Sequence, residues 1–342
     1  MNRVVLHTAA SGLWALAWRR LARDPVGMVS LAIVCLYLII VAAAAAGLIA
    51  ADWTREAGVN YAPPGFVGAD AAPAEISPAQ PLPAALPDTS GITDPLAAVL
   101  SELRKRLATA PMEEPRASTL LLGGDKWGRD VLKKAFKGTE TSLTVGLIAA
   151  TLAVFIGTLL GAYAGYYGGR MDDFLNWLYS VFTSIPYLLL VLAIAAVLNQ
   201  KGTVTVILIL GLTGWTGIFR LVRAEYLKHR TREYVLAADA IGTSNARRMF
   251  THIFPNVSHV VLVQLSLHVV LFIKSEVILS FLGFGVGVDT VSWGSMLNEA
   301  QSELILGKWW QLASATAAMA VLVTAFSLFT DALRDALDPR LK

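Results

Sequence analysis

The sequence predicts an all-α integral membrane protein that crosses the bilayer six times, with both termini in the cytoplasm. Three observations support this prediction. Charged residues make up 15% of the 342-residue chain and hydrophobic residues 55%, whereas a soluble domain carries about 25% charged residues. The apolar residues form six long runs, and the basic residues cluster in segments that six crossings leave on one side of the membrane.

Each apolar run is long enough for a membrane-spanning helix, which needs about 20 apolar residues. The runs lie near residues 26–50, 141–165, 174–198, 203–222, 257–282 and 307–330. The first run exceeds the roughly 7–15 apolar residues of a signal peptide. We therefore interpret 26–51 as a retained transmembrane helix and 141–331 as a core of five further helices.

The basic residues predict which side each connecting segment occupies, because arginine and lysine are enriched in cytoplasmic loops. Four segments beside the spans carry basic residues, namely residues 1–25, the turn at Arg170, residues 223–256 and residues 332–342. Their members are Arg3, Arg19, Arg20, Arg23, Arg170, Arg223, Lys228, Arg230, Arg232, Arg247, Arg248, Arg334, Arg340 and Lys342. Six crossings place all four segments on the same side, which we expect to be the cytoplasm.

Two segments outside the spans have distinct compositions. Trp14 and Trp18 lie one turn apart and are followed by arginines, a pattern typical of a helix in the membrane interface and equally of a simple basic anchor. Residues 52–140 contain ten of the fourteen prolines and predict an irregular extracytoplasmic loop. Apolar residues on one face predict a short helix near 94–109 within that loop.

The segment between the fourth and fifth spans predicts two short helices. The first begins at Glu233 and ends at Gly242, the second is capped by Ser244, and Pro255 separates it from the fifth span. The first helix has an apolar face in a segment surrounded by water, formed by Leu236, Ala237, Ala240 and Ile241. Such a face indicates either a docking surface for another protein, with arginines nearby that suit an acidic partner, or packing against the protein's own spans.

Four residues within the spans are candidates for a translocation path. Ser184 and Pro186 predict a kink in the third span that exposes carbonyl groups. Lys274 and Glu276 are charges inside the fifth span, and their two-residue spacing places them on different faces. We expect one of the two charges to line the path, the alternative being a structural pair with a neighbouring subunit.

Glycines and arginines elsewhere in the spans predict structural roles. Gly157, Gly161 and Gly165 form a smooth ridge on the second span, which favours close helix packing within this subunit or against another. Arg220 and Arg223 are expected to extend from the fourth span toward the membrane surface.

The sequence contains no motif for catalysis, nucleotide binding or metal binding. A phosphate-binding loop is absent, and the five histidines lack ligand spacing. Cys35 is the single cysteine and lies within an apolar run. A net charge of +3 is too small to indicate a nucleic-acid partner. We therefore expect a non-catalytic chain without a cofactor or metal of its own.

Four stretches carry the most specific motifs. The first is Gly-Gly-Asp-Lys-Trp-Gly-Arg-Asp-Val-Leu at 123–132. The second is Glu-Tyr-Val-Leu-Ala-Ala-Asp-Ala-Ile-Gly at 233–242, with His252 and Pro255-Asn256 after it. The third is Ser-Phe-Leu-Gly-Phe-Gly at 280–285 with Ser-Trp-Gly at 292–294, and the fourth is Leu-Arg-Asp-Ala-Leu-Asp-Pro-Arg at 333–340. Together they resemble the permeases of ATP-binding cassette (ABC) importers for dipeptides, oligopeptides and nickel, most closely the second, C-type, permease.

The resemblance implies a type I ABC-importer permease fold in the inner membrane of a bacterium. It implies a heterodimer with a second permease, two ATPase subunits that bind Mg-ATP, and a periplasmic binding protein that delivers a di- or oligopeptide or a related small solute. The chain then forms half of the translocation path. The resemblance also implies a set of residues that couple the permease to its ATPase: Glu233, Leu236, Ala237, Ala238, Ile241, Gly242 and Pro255.

An alternative prediction is a secondary transporter or channel that works without an ATPase. Such a protein needs no docking helix and is expected to contain an internal repeat, and the sequence shows no clear repeat. A structural membrane anchor is a third alternative, which the glycine ridge and the kinked third span make less favourable.

Overall fold

The computed structural model describes residues 13–68, 97–109, 116–287 and 289–337. The remaining parts of the predicted N-terminal segment, proline-rich loop and C-terminal tail lie outside the described residues. Within the described residues the regular structure is helical, with only isolated β-bridges besides. The chain forms two compact units, one made of residues 1–53 and 132–342 and the other of residues 54–131.

The described helices follow one another along the chain as in the sequence-based prediction, with several breaks added. They are α1 (Leu13–Leu21), α2 (Pro25–Ala45), α3 (Ala97–Thr109), α4 (Val131–Tyr167), α5 (Gly169–Thr183), α6 (Tyr187–Leu198), α7 (Thr203–Thr213), α8 (Thr216–His229), α9 (Glu233–Ala240), α10 (Asn245–Arg247), a π-helical turn (Arg248–Ile253), α11 (Phe254–Phe281), α12 (Trp293–Ile305) and α13 (Trp310–Leu337).

Five helical segments in the described residues are long and apolar enough to cross a membrane. They are α2, α4, α7 with α8, α10 with α11, and α13. Helices α5 and α6 meet the same criterion together but are bent by 81° between Thr183 and Tyr187, which gives up to six spans. This bend confirms the predicted kink at Ser184 and Pro186. It arises because Pro186 lacks the N–H that would continue the helical hydrogen bonding.

Helix α4 begins at Val131, about ten residues before the predicted span, and its 37 residues extend about 55 Å. The hydrocarbon layer is only about 30 Å thick, so one end of α4 projects from it. The projecting turns are polar, and Lys133 forms an ion pair with Asp52 at 2.7 Å. Hydropathy marks only the apolar part of such a helix, which is why the sequence placed its start too late.

Contacts at the two ends of α4 define two sides of the larger unit. At its C-terminal end, the Tyr166 hydroxyl donates to Asn245 at 3.0 Å, next to α9. At its N-terminal end, Lys134 pairs with Glu299 of α12 at 2.6 Å. Helix α9 therefore lies on the side where α4 ends, which requires the α5–α6 pair to cross back before α7 and α8 return.

The first and last described helices also share a side. Ala17 and Leu21 of α1 form a buried cluster with Ala332 and Ala336 near the end of α13. Leu262 and Val263, in the N-terminal half of α11, pack against the same cluster. Only α10 and the short π-helical turn separate α9 from α11, so α1, α9 and the end of α13 lie on one side, as an even number of crossings requires.

The glycine ridge of α4 packs within the subunit, which confirms the favoured prediction. A Cβ atom at Gly157 would lie 2.2 Å from Ile218, and one at Gly161 would lie 2.7 Å from the carbonyl oxygen of Phe219. At Gly165 the nearest atom is the carbonyl oxygen of Arg223, at 2.5 Å. Only glycine allows the backbones of α4 and α8 to approach this closely.

The smaller unit contains the motif at 123–132. The buried Asp125 carboxylate accepts hydrogen bonds from the backbone N–H groups of Trp127 and Arg129, both at 2.9 Å. Gly128 has φ +78°, and a Cβ atom there would lie 2.0 Å from the carbonyl oxygen of Gly58. The aspartate and glycine of this motif therefore fix a tight loop.

Candidate functional site

Helix α9 is held on the larger unit by one buried face. Val235 and Ala238 are buried, and Val235 belongs to a cluster that joins five helical segments: α4, α8, α9, the π-helical turn and α11. The other buried members of this cluster are Val154, Ala162, Ile218, Val222, Tyr226, Met249, Ile253 and Val257. The Tyr226 hydroxyl donates to the Met249 carbonyl at 3.2 Å. Helix α9 is therefore packed as part of the bundle and moves with α4, α8 and α11.

The opposite face of α9 is apolar and exposed. Leu236 is 55% exposed and Ile241 83% exposed, and Ala237 and Ala240 are exposed between them. We call these four residues the α9 surface. Ala238, by contrast, lies on the buried face, so its role is to pack α9 on the bundle.

Gly242 ends α9 in a left-handed conformation, with φ +77°. Its N–H donates to the Asp239 carbonyl at 2.8 Å, and the N–H of Thr243 donates to the Ala238 carbonyl at 3.0 Å. This pair of bonds is the Schellman arrangement, which favours glycine. A Cβ atom at Gly242 would meet nothing within 4 Å, so the space beside it is open to a partner.

Polar contacts fix the loop around α9. Arg248 forms an ion pair with Asp239 and donates to Asn245 at 2.6 Å. The hydroxyl of Tyr234 lies 2.8 Å from His229 Nδ1 and accepts from Asn256 at 3.5 Å. Partial burial raises the pKa of the Tyr234 phenol, which therefore keeps its proton at neutral pH.

Pro255 does not separate the second short helix from the fifth span, contrary to the sequence-based prediction. Ser244 caps α10 as predicted, accepting from the Arg247 N–H, and the helix then continues through the π-helical turn into α11. Pro255 directly follows the π-helical turn, in which the Phe254 N–H donates to the Met249 carbonyl five residues back. This wider turn accommodates a proline, which has no N–H to continue the helical hydrogen bonding.

Glu276 is fully buried in the larger unit and does not face a path within this chain. Its carboxylate accepts hydrogen bonds from Ser142 of α4 and Ser280 of α11, both at 2.7 Å. The Ser142 hydroxyl also accepts from the backbone N–H of Trp293, the first residue of α12, at 3.3 Å. Glu276 and Ser142 thus join α4, α11 and α12. A single sequence does not indicate this contact, because Ser142 lies 134 residues from Glu276.

Lys274 lies on a different face of α11, as its spacing from Glu276 predicts. It is exposed and forms no ion pair within the described part of the chain. Four exposed apolar residues continue the same stripe, namely Leu267, Leu271, Ile278 and Phe281. A lone ammonium group on a membrane-spanning helix is costly in lipid, so this stripe faces water or another protein chain.

Ser184 and Pro186 are exposed at the bend between α5 and α6. The structure adds a partner for Arg223, which was expected only to extend toward the membrane surface. Its guanidinium makes two hydrogen bonds to the Asp172 carboxylate in the first turn of α5, at 2.5 and 2.7 Å, whereas Arg220 is exposed. This ion pair ties the first half of the bent segment to α8. The aspartate lies 51 residues away, so local sequence could not indicate it.

No group of three or more His, Cys, Asp or Glu side chains among the described residues is placed to hold a metal ion. The described helices form a bundle of candidate membrane spans with an exposed apolar helix face at one end.

The chain belongs to the family of binding-protein-dependent transport system inner membrane components, whose model matches residues 157–342. A second model, the N-terminal transmembrane domain of oligopeptide transport permease C, matches residues 12–64. The predicted class, an all-α ABC-importer permease, is thereby confirmed. The chain is a permease subunit of the C type.

Curated relatives agree with this assignment. The chain is 37% identical over 228 residues to the dipeptide transport system permease protein DppC of Bacillus subtilis, an alignment that covers 67% of this chain and 71% of the relative. It is 34% identical to the oligopeptide transport system permease protein OppC of the same organism, covering 67% and 75%. It is 33% identical to the glutathione transport system permease protein GsiD of Pectobacterium atrosepticum, covering 68% and 76%.

Proposed function

We propose that this permease forms half of the path that carries a di- or oligopeptide across a bacterial inner membrane, powered by separate ATPase subunits. The observation that carries the proposal is the α9 surface, a set of apolar side chains held in water by a rigid bundle. Covering Leu236 and Ile241 on a partner removes apolar area from water, which stabilises docking by about 25 cal/mol per Å². The arginines nearby suit acidic groups on that partner.

The buried side of α9 supports a mechanical role. Because Val235 shares a buried cluster with α4, α8 and α11, a displacement of α9 moves the ends of three other helices with it. Closure of two ATPase subunits around Mg-ATP would thus reach the bundle as a rigid-body movement. The coupling residues Glu233, Ala237, Gly242 and Pro255 frame the segment that transmits it.

The proposed path runs between this chain and a second permease. Its lining includes Lys274 on α11 and the exposed bend at Ser184 and Pro186, where backbone carbonyls are free of the helical ladder. Glu276 supports the path from inside the subunit by holding α12 against α4. An exposed ammonium group among apolar residues suits a solute with a carboxylate, such as a peptide.

Cargo and partners are part of the same proposal. The names of the relatives refer to dipeptides, oligopeptides and glutathione, which share peptide bonds and free carboxylates. We infer a heterodimer with a second permease, two ATPase subunits that bind and hydrolyse Mg-ATP, and a periplasmic protein that delivers the peptide. The N- and C-terminal helices lie with α9 on the cytoplasmic side, because the basic residues cluster there.

The coupling role is tested by changing Gly242. We expect Gly242→Asp to lower ATP-dependent peptide uptake at least tenfold while the protein stays in the membrane, since it places a negative charge where an acidic partner docks. Gly242→Asn is the matched control, because asparagine has the same shape and tolerates the left-handed conformation. Normal uptake by Gly242→Asp, or equal loss in both variants, would contradict an electrostatic docking surface at this position.

A further inference from the structure

An apolar groove lies between the first and the last membrane spans along the chain, both in the larger unit. It runs between α2 and α13, has a volume of about 640 Å³ and is open along its length. Each wall carries one side-chain hydroxyl, Ser30 on α2 and Thr324 on α13, and the other lining side chains are apolar. The lining residues are Pro25, Val26, Val29, Ser30, Ile33, Ala320, Val321, Thr324, Ala325 and Leu328.

The length of the groove suits a lipid acyl chain. Its lining spans eight residue steps on each helix, 25 to 33 and 320 to 328, which is about 12 Å at 1.5 Å per residue. The hydrocarbon layer is about 30 Å thick, so the groove covers most of the depth of one leaflet. An acyl chain in that leaflet can lie along it from the membrane surface inward.

One end of the groove meets a basic segment. Pro25 lies directly after the turn that links α1 to α2, and Arg19 and Arg23 are exposed on that turn and the helix before it. Helix α1 is held across this end by Leu21, which is buried against α13. Asp24 is engaged in capping α2, accepting from the Val26 N–H at 3.0 Å. Asp331 and Asp335 are also exposed at this end, on α13. Four arginines, Arg19, Arg20, Arg23 and Arg334, outnumber the three aspartates there, Asp24, Asp331 and Asp335.

We propose that the groove binds an acyl chain of an anionic phospholipid, whose phosphate contacts Arg19 and Arg23. The two features belong together, because a phospholipid carries its charge at one end of an apolar chain. Basic residues at a membrane surface attract anionic headgroups, and the side chains of arginine match phosphate geometry. The site gives the first and last membrane helices a shared lipid that stabilises their contact at the charged end.

The test uses the assembled transporter in nanodiscs that contain equal amounts of phosphatidylglycerol and phosphatidylcholine. A photoreactive phenylalanine replaces Val321 in the groove, and in a matched variant it replaces Ile39, which is exposed on α2 outside the groove. After irradiation, mass spectrometry identifies the adducts. We expect phosphatidylglycerol to be enriched about fivefold at position 321 relative to position 39, and the enrichment to disappear in Arg19→Gln/Arg23→Gln.

Each other outcome overturns the proposal. Equal lipid ratios at the two positions would show that the groove holds bulk lipid only. A polypeptide adduct at position 321 would show that another chain, or another part of this one, fills the groove. Enrichment of phosphatidylglycerol at position 321 that persists in Arg19→Gln/Arg23→Gln would show that the two arginines do not bind the lipid headgroup. None of these outcomes bears on ATP-dependent uptake, so the function proposed above is tested independently.

Discussion

Lys274 and Glu276 lie two residues apart on α11, and their side chains have different surroundings. The Glu276 carboxyl group is buried and accepts hydrogen bonds from Ser142 and Ser280. Lys274 forms no ion pair among the described residues and lies on an exposed stripe. A lysine within a membrane span is costly unless it faces water or a partner group, so we expect a polar environment for it in the assembly.

The first prediction concerns this lysine. We expect Lys274→Met to lower peptide uptake about tenfold with a normal amount of protein in the membrane, because one charged contact of about 1.4 kcal/mol is lost. Lys274→Arg keeps the charge and should retain most of the uptake. Glu276→Gln should preserve uptake better than Lys274→Met, since it keeps the shape of a group that faces the interior. Wild-type uptake by Lys274→Met would show that Lys274 does not contribute to the translocation path.

At the scale of residues, the sequence predicts which side chains are exposed better than it predicts which side chains contact one another. The apolar face of α9, the glycine at its end and the opposite faces of Lys274 and Glu276 all follow from helical periodicity, which is local. The contacts of Arg223 with Asp172 and of Glu276 with Ser142 join residues 51 and 134 positions apart. Nothing in a single sequence indicates such pairs, because they depend on how the helices pack.

At the scale of helices, the contact between α4 and α8 shows how closely two spans can approach. The three ridge glycines face carbonyl oxygens of α8 directly, so the backbones touch over two turns. In lipid, where apolar burial gives no advantage, such contacts are held by van der Waals packing and weak backbone interactions. The contact continues toward α9, because Arg230, just after α8, donates to the carbonyl oxygens of Gly165 and Tyr166, each at 3.4 Å.

The second prediction tests that contact. Gly161→Leu places a side chain where even a Cβ atom would lie 2.7 Å from a carbonyl oxygen. We expect it to destabilise the purified permease complex by about 1–3 kcal/mol, as overpacking does, and to lower its melting temperature in detergent. Thr151→Leu, on the exposed face of the same helix, is the matched control. Equal melting temperatures for both variants would argue against a tight contact at the ridge.

The helices themselves were largely predictable, since six apolar runs correspond to five spanning segments and one bent pair. The errors came from polar and irregular turns. The N-terminal turns of α4 carry lysines, so hydropathy did not mark them. Pro255 predicts a break from its sequence alone, but the π-helical turn before it lets the helix continue.

At the scale of the whole molecule, the contacts at the two ends of α4 decide the number of crossings. If the bent α5–α6 pair returned to the side it came from, α9 would lie at the start of α4 and α12 at its end. The observed contacts are the reverse, with α9 near Tyr166 and α12 near Lys134. Charge clustering in the sequence and packing in the structure thus lead independently to six crossings.

The third prediction is therefore the topology itself. In a Cys35→Ser background, single cysteines at Ile241 and Ile305 have nearly equal exposure, since the native side chains are 83% and 86% exposed. A membrane-impermeant maleimide should label position 305 in cells with a permeabilised outer membrane, and position 241 only after lysis. Because α9 docks on the ATPase in the proposed complex, co-expression of that subunit should also protect position 241 but not 305. Labelling of position 241 in unlysed cells would place α9 outside and remove its contact with any cytoplasmic motor.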